Sequence, residues 1–336
     1  MHLSEFDYNL PKEFIAQRPL ENRDESKLMV LNRADQTIEH HQFFELPDIL
    51  SPDSVLVFNE SKVIPARLKF KLGNGNAEIL LIKPSSDNTW ECMVKPGHKF
   101  GPKTDIQIDS ELNAHVKDIT PHGLRVIKFH CDDFDAYLKK HGHTPTPPYI
   151  KEEVSDPEKY QTIYAKTEGS VAAPTAGFHF TDKVFKGLKE KGIQTEFITL
   201  HVGLGTFQPV KVDKITEHKM HSEWFSLPED VAERLNKAKE EGKKIIAVGT
   251  TSIRVLESCA DNGVLIPKCG ETDIFIYPGY KWKFVNQMIT NFHVPKSTLL
   301  MLVSSFANRD FILKAYETAK EKKYRFFSFG DAMLIK

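Results

Sequence analysis

Residues 226–258, SLPEDVAERLNKAKEEGKKIIAVGTTSIRVLES, decide how the fold is read. Ser226 and Glu229 stand at capping-box spacing and open a helix that Gly242 ends. KKIIAVG then reads as a buried strand, and a second helix runs from about Thr251 to near Gly263. Working outward, the same alternation continues on both sides. TDKVFKGLKEKG is a helix with Thr181 as its N-cap and Gly192 as its stop, and TEFITLHV is the strand that follows it. Downstream come strands at TDIFIY and MITNF, helices over STLLMLVSSFA and RDFILKAYETAKE, and a last strand at YRFFSF. Strand and helix in alternation predict a layered α/β unit with a mixed sheet.

The first half has a different texture. KLMVLNR and SVLVFNE are strand-like runs separated by a loop around Pro47 to Asp53. From about Lys69 onward, short alternating segments (AEILLIK, TWECMVK, TDIQID, AHVKDI, LRVIKFH) are broken by Gly, Asn, Pro and Asp, the pattern of a small all-β barrel. An amphipathic segment, DDFDAYLKKHG, and the rigid PTPPYI close it. The opening strands lack partners of their own. We therefore expect a discontinuous large α/β domain from 1–66 and 151–336, with a β barrel over 67–150 inserted in it.

At 336 residues, 40% hydrophobic and 27% charged, the composition is that of an ordinary globular protein of about two domains. No run of about 18 apolar residues and no signal-peptide pattern occurs, so a cytoplasmic location and no membrane partner are expected. The four cysteines are too sparse and irregular for a disulfide framework or a zinc knuckle. A net charge of −1 excludes a generally basic coat, so nucleic acid would have to meet a local patch.

Several polar corners carry chemistry. In VGTTSIR, a strand, a glycine, small hydroxyl residues and a helix place backbone N–H groups of Thr250 and Thr251 toward an anion, with Arg254 as a fork of donors; the alternative is a capped helix whose arginine sits in a salt bridge. TLHVGLGTFQPV sets His201 at a strand end, then Gly203, Gly205 and Thr206, letting backbone approach a flat ligand. It is not a dinucleotide fingerprint, because Pro209 stands where the phosphate-binding helix should begin. AAPTAGFHFT gathers Thr175 and Gly177 around His179, between Phe178 and Phe180. Aromatic faces there, or those of Phe207, Trp224 and Phe292, suit a poorly hydrated cation. HKMHSEW puts His218, His221 and Glu223 together for acid–base work, for a metal, or merely in a solvated loop. ITNFHVPKS brings Asn291, His293 and Lys296 to a turn before a helix.

Taken in order, these segments resemble one family. LPKEFIAQRPLENRDESKLMVL, VFNESKVIPARL, YQTIYAKTEGSVAAPTAGFHFT, TLHVGLGTFQPV, HKMHSEW, VGTTSIRVLES, FIYPGY, ITNFHVPKSTLLML and YRFFSFGDAMLI are similar to the S-adenosylmethionine:tRNA ribosyltransferase-isomerases of queuosine synthesis across nearly the whole chain. The resemblance implies a large α/β domain with a small inserted β barrel. It implies transfer of the ribosyl carbons of S-adenosylmethionine to the aminomethyl-deazaguanine at the wobble position of tRNA, giving epoxyqueuosine with release of adenine and methionine. S-adenosylmethionine is then a co-substrate, with no further cofactor and no metal. The catalytic candidates are His201, His221 and Glu223. Substrate binding falls to the corners named above, with the methionine carboxylate at Thr250, Thr251 and Arg254 and the adenine at Gly203 and Gly205. Lys62 and Arg67 are candidate phosphate contacts, and a monomer is expected. The chain departs from the family pattern at Phe178, Ile253, Asn286, Val294 and Phe329. Competing readings are an S-adenosylmethionine methyltransferase, a non-catalytic tRNA-binding protein and a metal-dependent hydrolase.

Overall fold

The computed structural model describes residues 1–85, 87–152, 156–203, 210 and 212–336. Its strands in chain order are β1 (Lys27–Asn32), β2 (Thr37–Gln42), β3 (Ser54–Asn59), β4 (Ser61–Val63), β5 (Arg67–Leu72), β6 (Gly75–Pro84), β7 (Thr89–Lys95), β8 (Thr104–Gln107), β9 (Asn113–Ile119) and β10 (Arg125–His130). They continue as β11 (Thr167–Ser170), β12 (Gln194–Leu200), β13 (Glu223–Leu227), β14 (Lys244–Val248), β15 (Ala260–Asp261), β16 (Val264–Leu265), β17 (Lys268–Thr272), β18 (Gln287–Asn291) and β19 (Ala332–Ile335). The helices are α1 (Leu46–Ile49), α2 (Phe134–His141), α3 (Asp182–Glu190), α4 (Glu229–Glu240), α5 (Gly249–Cys259), α6 (Thr298–Ala307) and α7 (Arg309–Glu321).

Nine strands form one mixed sheet in the order β17-β13-β12-β3-β14-β18-β19-β1-β2. Its centre is parallel: β12 and β14 both run alongside β3, and β14 alongside β18. β3 and β14, at the middle, read as near-continuous apolar runs because both faces are covered. The period of two assigns them to two clusters: Leu56 and Phe58 pack with Val184 and Leu188 of α3, while Val55 and Val57 pack with the α4, α5 and α7 residues Leu235, Leu256 and Ile312. β5 to β10 form a second, open antiparallel sheet in the order β5-β6-β7-β10-β9-β8, with its own core around Ile79, Val116 and Phe129. Where a closed barrel was expected, β5 and β8 do not pair among the described residues.

Three local expectations give way to tertiary structure, and one strand, β2, was not anticipated. Ser226 does not cap α4: it lies in β13, opposite Thr199 of β12 and Cys269 of β17, and the helix starts after Pro228. Two ladders satisfy that backbone, so a local cap has nothing to add. β2, polar and largely exposed, gives no apolar signal, yet it pairs with β1 along its length at the sheet edge. The strand near TDIFIY is β17 instead; the Thr272 hydroxyl accepts from the Ile274 N–H at 3.2 Å and turns the chain, so that Ile276 packs into the core without a ladder. YRFFSF is a loop, with Phe327 at φ +70°, tied by Asp331, whose carboxylate accepts from the N–H groups of Arg325 and Lys27 at 2.7 and 3.1 Å. The last strand, β19, begins after that aspartate and pairs with β1 and β18. The Thr181 cap of α3 is present, accepting from Val184 N–H. No helix among the described residues is long and apolar enough to cross a membrane.

Candidate active site: two cavities that meet at Val202

Most of the described candidate residues line two cavities that share Val202. The larger, about 690 Å³, lies between the two sheets. From the large sheet come His201, Gly203, His221, Glu223 and Trp224; from the small one come Ile82, Pro84, Trp90 and Glu91. The smaller, about 410 Å³, is lined by Thr175, Gly249, Thr250, Thr251, Asn291, His293 and Lys296, with Tyr149, Phe292 and Phe327 as aromatic walls.

In the larger cavity, β12 ends at Leu200 and delivers His201 to the rim. Its Nδ1 shares a 2.8 Å hydrogen bond with Ser61 Oγ, its N–H donates to the Trp224 carbonyl at 2.9 Å, and its ring stacks on the Trp224 indole at 4.9 Å. Gly169, at φ +144°, lies against the imidazole; a Cβ there would come within 2.6–2.9 Å of three ring atoms, so only glycine fits. Desolvation lowers the pKa of His201 and keeps it neutral near pH 7. His221 faces the cavity beside His122, with ring centres 6.4 Å apart.

Glu223 and Arg254 make a buried ion pair, 5% and 6% exposed. The other Glu223 oxygen accepts from Gly203 N–H at 2.7 Å, and Arg254 Nη2 donates to the Thr272 carbonyl at 3.2 Å. The salt-bridge alternative for Arg254 therefore holds. Arg254 is not among the residues lining the cavity of Thr250 and Thr251. It sits five residues into α5, roughly 7–8 Å along the axis from Gly249. With both oxygens engaged, Glu223 is placed to orient the Gly203 backbone. Gly205, Thr206 and Phe207 lie outside the described residues.

The smaller cavity is built from neutral dipoles. His179 is buried and joins a chain: Thr175 Oγ donates to Asn291 Oδ1 at 2.9 Å, Asn291 Nδ2 to His179 Nε2 at 3.1 Å, and His179 Nδ1, as the remaining N–H, to Ser26 Oγ at 2.7 Å. Burial, with the Arg325 charge nearby, lowers the His179 pKa to about 3, and burial lowers His293 equally, to about 3. Lys296 is paired with Asp7 at 2.7 Å. The N-terminus of α5 has no side-chain cap, and Thr251 Oγ is buried without a partner among the described residues. Gly177 admits the Tyr164 hydroxyl, which a Cβ would overlap at 1.9 Å.

Lys62 and Arg67 lie outside both linings. Lys62 pairs loosely with Glu168 at 3.6 Å, and Arg67, on β5, faces Glu78 at 3.6 Å and the Thr146 carbonyl at 3.4 Å. His218 packs on Phe275, and among the described residues no three His, Cys, Asp or Glu side chains cluster as metal ligands. Sequence reasoning did not single out Ser26, Ser61, Gly169 or Tyr149. Each lies far along the chain from the histidine or cavity it serves; Ser26, Ser61 and Gly169 stand in segments that carried the family resemblance, and Tyr149 does not.

The family model for the queuosine biosynthesis protein matches residues 3–335. The chain is 51% identical to the S-adenosylmethionine:tRNA ribosyltransferase-isomerase of Natranaerobius thermophilus and 52% identical to that of Halothermothrix orenii, each alignment covering all of both chains. The chain belongs to the queuosine biosynthesis protein family. A solved relative, the S-adenosylmethionine tRNA ribosyltransferase of Thermotoga maritima, superposes with a TM-score of 0.56 at 40% identity, over 99% of this chain and 100% of that one. Among the departures from the queuosine-family pattern, Phe329 stacks on Phe178 in a small apolar cluster with Tyr160, and Asn286 Oδ1 accepts from Ile245 N–H at 3.0 Å. Both positions support the fold.

Proposed function

We propose that this chain is an S-adenosylmethionine:tRNA ribosyltransferase-isomerase in which the smaller cavity holds S-adenosylmethionine and the reaction takes place where the two cavities meet. The observation that carries this reading is the shared wall at Val202, with an uncapped helix N-terminus on one side and His201 on the other. The methionine carboxylate sits at the free N–H groups of Thr250 and Thr251, where the α5 dipole favours an anion. The sulfonium lies over the aromatic faces of Tyr149, Phe292 and Phe327. The adenine is read by Thr175 and Asn291, because Gly203 faces the larger cavity and its N–H is taken by Glu223.

The positive sulfur acidifies the adjoining ribose carbon. His201, neutral and fixed by Ser61 and Gly169, takes that proton, and adenine leaves as the sugar opens. The amine of the tRNA base adds, the carbocycle closes, and an alkoxide displaces methionine to form the epoxide. His221 serves the later transfers; each correctly placed proton transfer is worth about 10²–10⁴-fold. Lys62, 38% exposed, and Arg67 approach the tRNA backbone. The two sheets correspond to a layered large domain, 1–66 with 151–336, and an inserted unit, 67–150. The protein acts in the cytoplasm as a monomer, and S-adenosylmethionine is consumed without another cofactor.

The test is incubation with S-adenosylmethionine and tRNA carrying the aminomethyl base, followed by nucleoside mass analysis. Epoxyqueuosine with equimolar adenine and methionine is expected, and single-turnover formation should fall about 10²-fold or more in His201→Gln. S-adenosylhomocysteine, or a methylated nucleoside, would overturn the reading.

A further inference from the structure

We propose that the larger cavity receives the modified nucleobase itself, extruded from the tRNA, with Trp224 as its stacking platform and Glu91 as the acceptor for its hydrogen-bonding edge; this rests on the function proposed above. An enzyme that builds a ring system onto a base must bring that base out of its stack and hold it beside the second substrate. The cavity is large enough for a bound small molecule and opens at the junction of the two sheets, where a polynucleotide can reach it.

Trp224 is 39% exposed, an unusual setting for an indole, and it lies on the cavity wall. Its ring is backed by His201, which Ser61 and the bare backbone of Gly169 hold in place. The platform is thus rigid before any ligand arrives, and stacking on it costs little side-chain ordering. The small sheet supplies Trp90, Pro84 and Ile82 to the same cavity, giving an apolar counterpart.

Charge then distinguishes which base enters. Glu271 is neutralised by Lys83 at 2.6 Å and Glu168 by Lys62 and Lys139 at 3.6 and 3.5 Å. Two lining carboxylates, Glu91 and Asp135, have no side-chain ion pair or hydrogen bond among the described residues; Asp135 is exposed on α2, whereas Glu91 is half-buried on β7 beside Trp90. A carboxylate only accepts, so it matches a guanine-type edge, whose ring N–H and exocyclic amine are adjacent donors. Adenine offers an acceptor beside its amine and would set a lone pair against that carboxylate. The larger cavity therefore favours the deazaguanine over the adenine of S-adenosylmethionine, which leaves the latter to the smaller cavity.

The experiment compares the full-length protein with Trp224→Ala, Trp224→Phe and Glu91→Gln, measuring KM for tRNA bearing the aminomethyl base and, by calorimetry without tRNA, Kd for S-adenosylmethionine. Trp224→Ala should raise the tRNA KM roughly 5- to 150-fold, the range of base–aromatic stacking, with the S-adenosylmethionine Kd unchanged within about twofold. Trp224→Phe should restore most of the loss, and Glu91→Gln should raise the tRNA KM alone. A wild-type tRNA KM in all three variants, or a loss of S-adenosylmethionine affinity in their place, overturns the assignment while wild-type product formation keeps the functional reading. If wild-type protein forms no epoxyqueuosine, the functional reading falls and this one with it. Should Trp224→Ala fail to fold, Trp224→Phe and Glu91→Gln decide.

Discussion

The two cavities share a wall but handle charge in opposite ways. The larger is lined by charged groups such as Lys83, Lys139, Glu168 and Glu271, most of them compensated in pairs near the surface. The smaller uses hydroxyls, a carboxamide, His293 kept neutral by burial and the free N–H groups of a helix, with a second buried neutral histidine, His179, behind Asn291 and Lys296 already tied to Asp7. Fixed dipoles need no reorganisation to meet a ligand that carries its own opposite charges, as a sulfonium amino acid does. Paired side chains at an opening can exchange partners, which suits a large polyanionic substrate that docks and leaves. On the reading proposed above, the contrast separates a site built to hold from a site built to receive.

The largest effect should come from the boundary between them. Glu223→Ala would leave Arg254 buried without its counter-charge and Gly203 N–H without its acceptor. We expect a loss of about 3–5 kcal/mol in stability, read as a lower denaturant midpoint at unchanged slope. Replacing both partners, Glu223→Leu with Arg254→Met, should recover much of it. A single-variant loss below about 1 kcal/mol would mean that the pair does not hold the wall, and the contrast between the cavities would blur.

A medium effect follows from pH. The folded-state pKa values of His179 and His293 lie near 3, below the unfolded value of roughly 6.5, so the unfolded chain binds protons that the folded one refuses. Stability from these groups is complete above about pH 6.5 and is lost as pH falls from there toward 3. At pH 5 the loss is about 2 kcal/mol per histidine. Denaturation curves at pH 7 and 5 check it, and His293→Asn should flatten the difference by about half. A profile unchanged by that substitution would show the smaller cavity to be less dry than its burial implies.

Much of the scaffold was legible because its signals are local. KKIIAVG, the capped α3 and RDFILKAYETAKE fall where the apolar pattern and caps put them, within a residue or two. What failed was decided at a distance. Ser226 was recruited by two neighbouring strands, and YRFFSF was folded into a loop by Asp331, a residue just beyond it that also binds β1. At the site, the motifs singled out histidines that the structure sets in or beside the two cavities, but not their holders. His179 is oriented by Ser26 and Asn291, 153 and 112 positions away, and no spacing rule can connect them. The same limit misplaced Arg254: the sequence shows a helix N-terminus, but not that Glu223 stands across from its second turn.

The smallest effect is the most specific to the smaller cavity. Thr251 Oγ is buried in the first turn of α5, packed near Gly249, and lacks a hydrogen-bond partner among the described residues. An unmet buried hydroxyl lowers the stability of the protein that carries it. Valine has the same branching and fits the same helical rotamer, so Thr251→Val removes the unmet group without changing shape much. If the hydroxyl waits for the carboxylate of the bound sulfonium amino acid, the free protein should be unchanged or up to about 1 kcal/mol more stable, while S-adenosylmethionine binds about fivefold more weakly, also about 1 kcal/mol. The tRNA KM should not move, which separates this variant from those in the larger cavity. A destabilised protein with unaltered affinity would make Thr251 a packing residue and leave the backbone N–H groups of α5 as the only anion-binding feature of that corner.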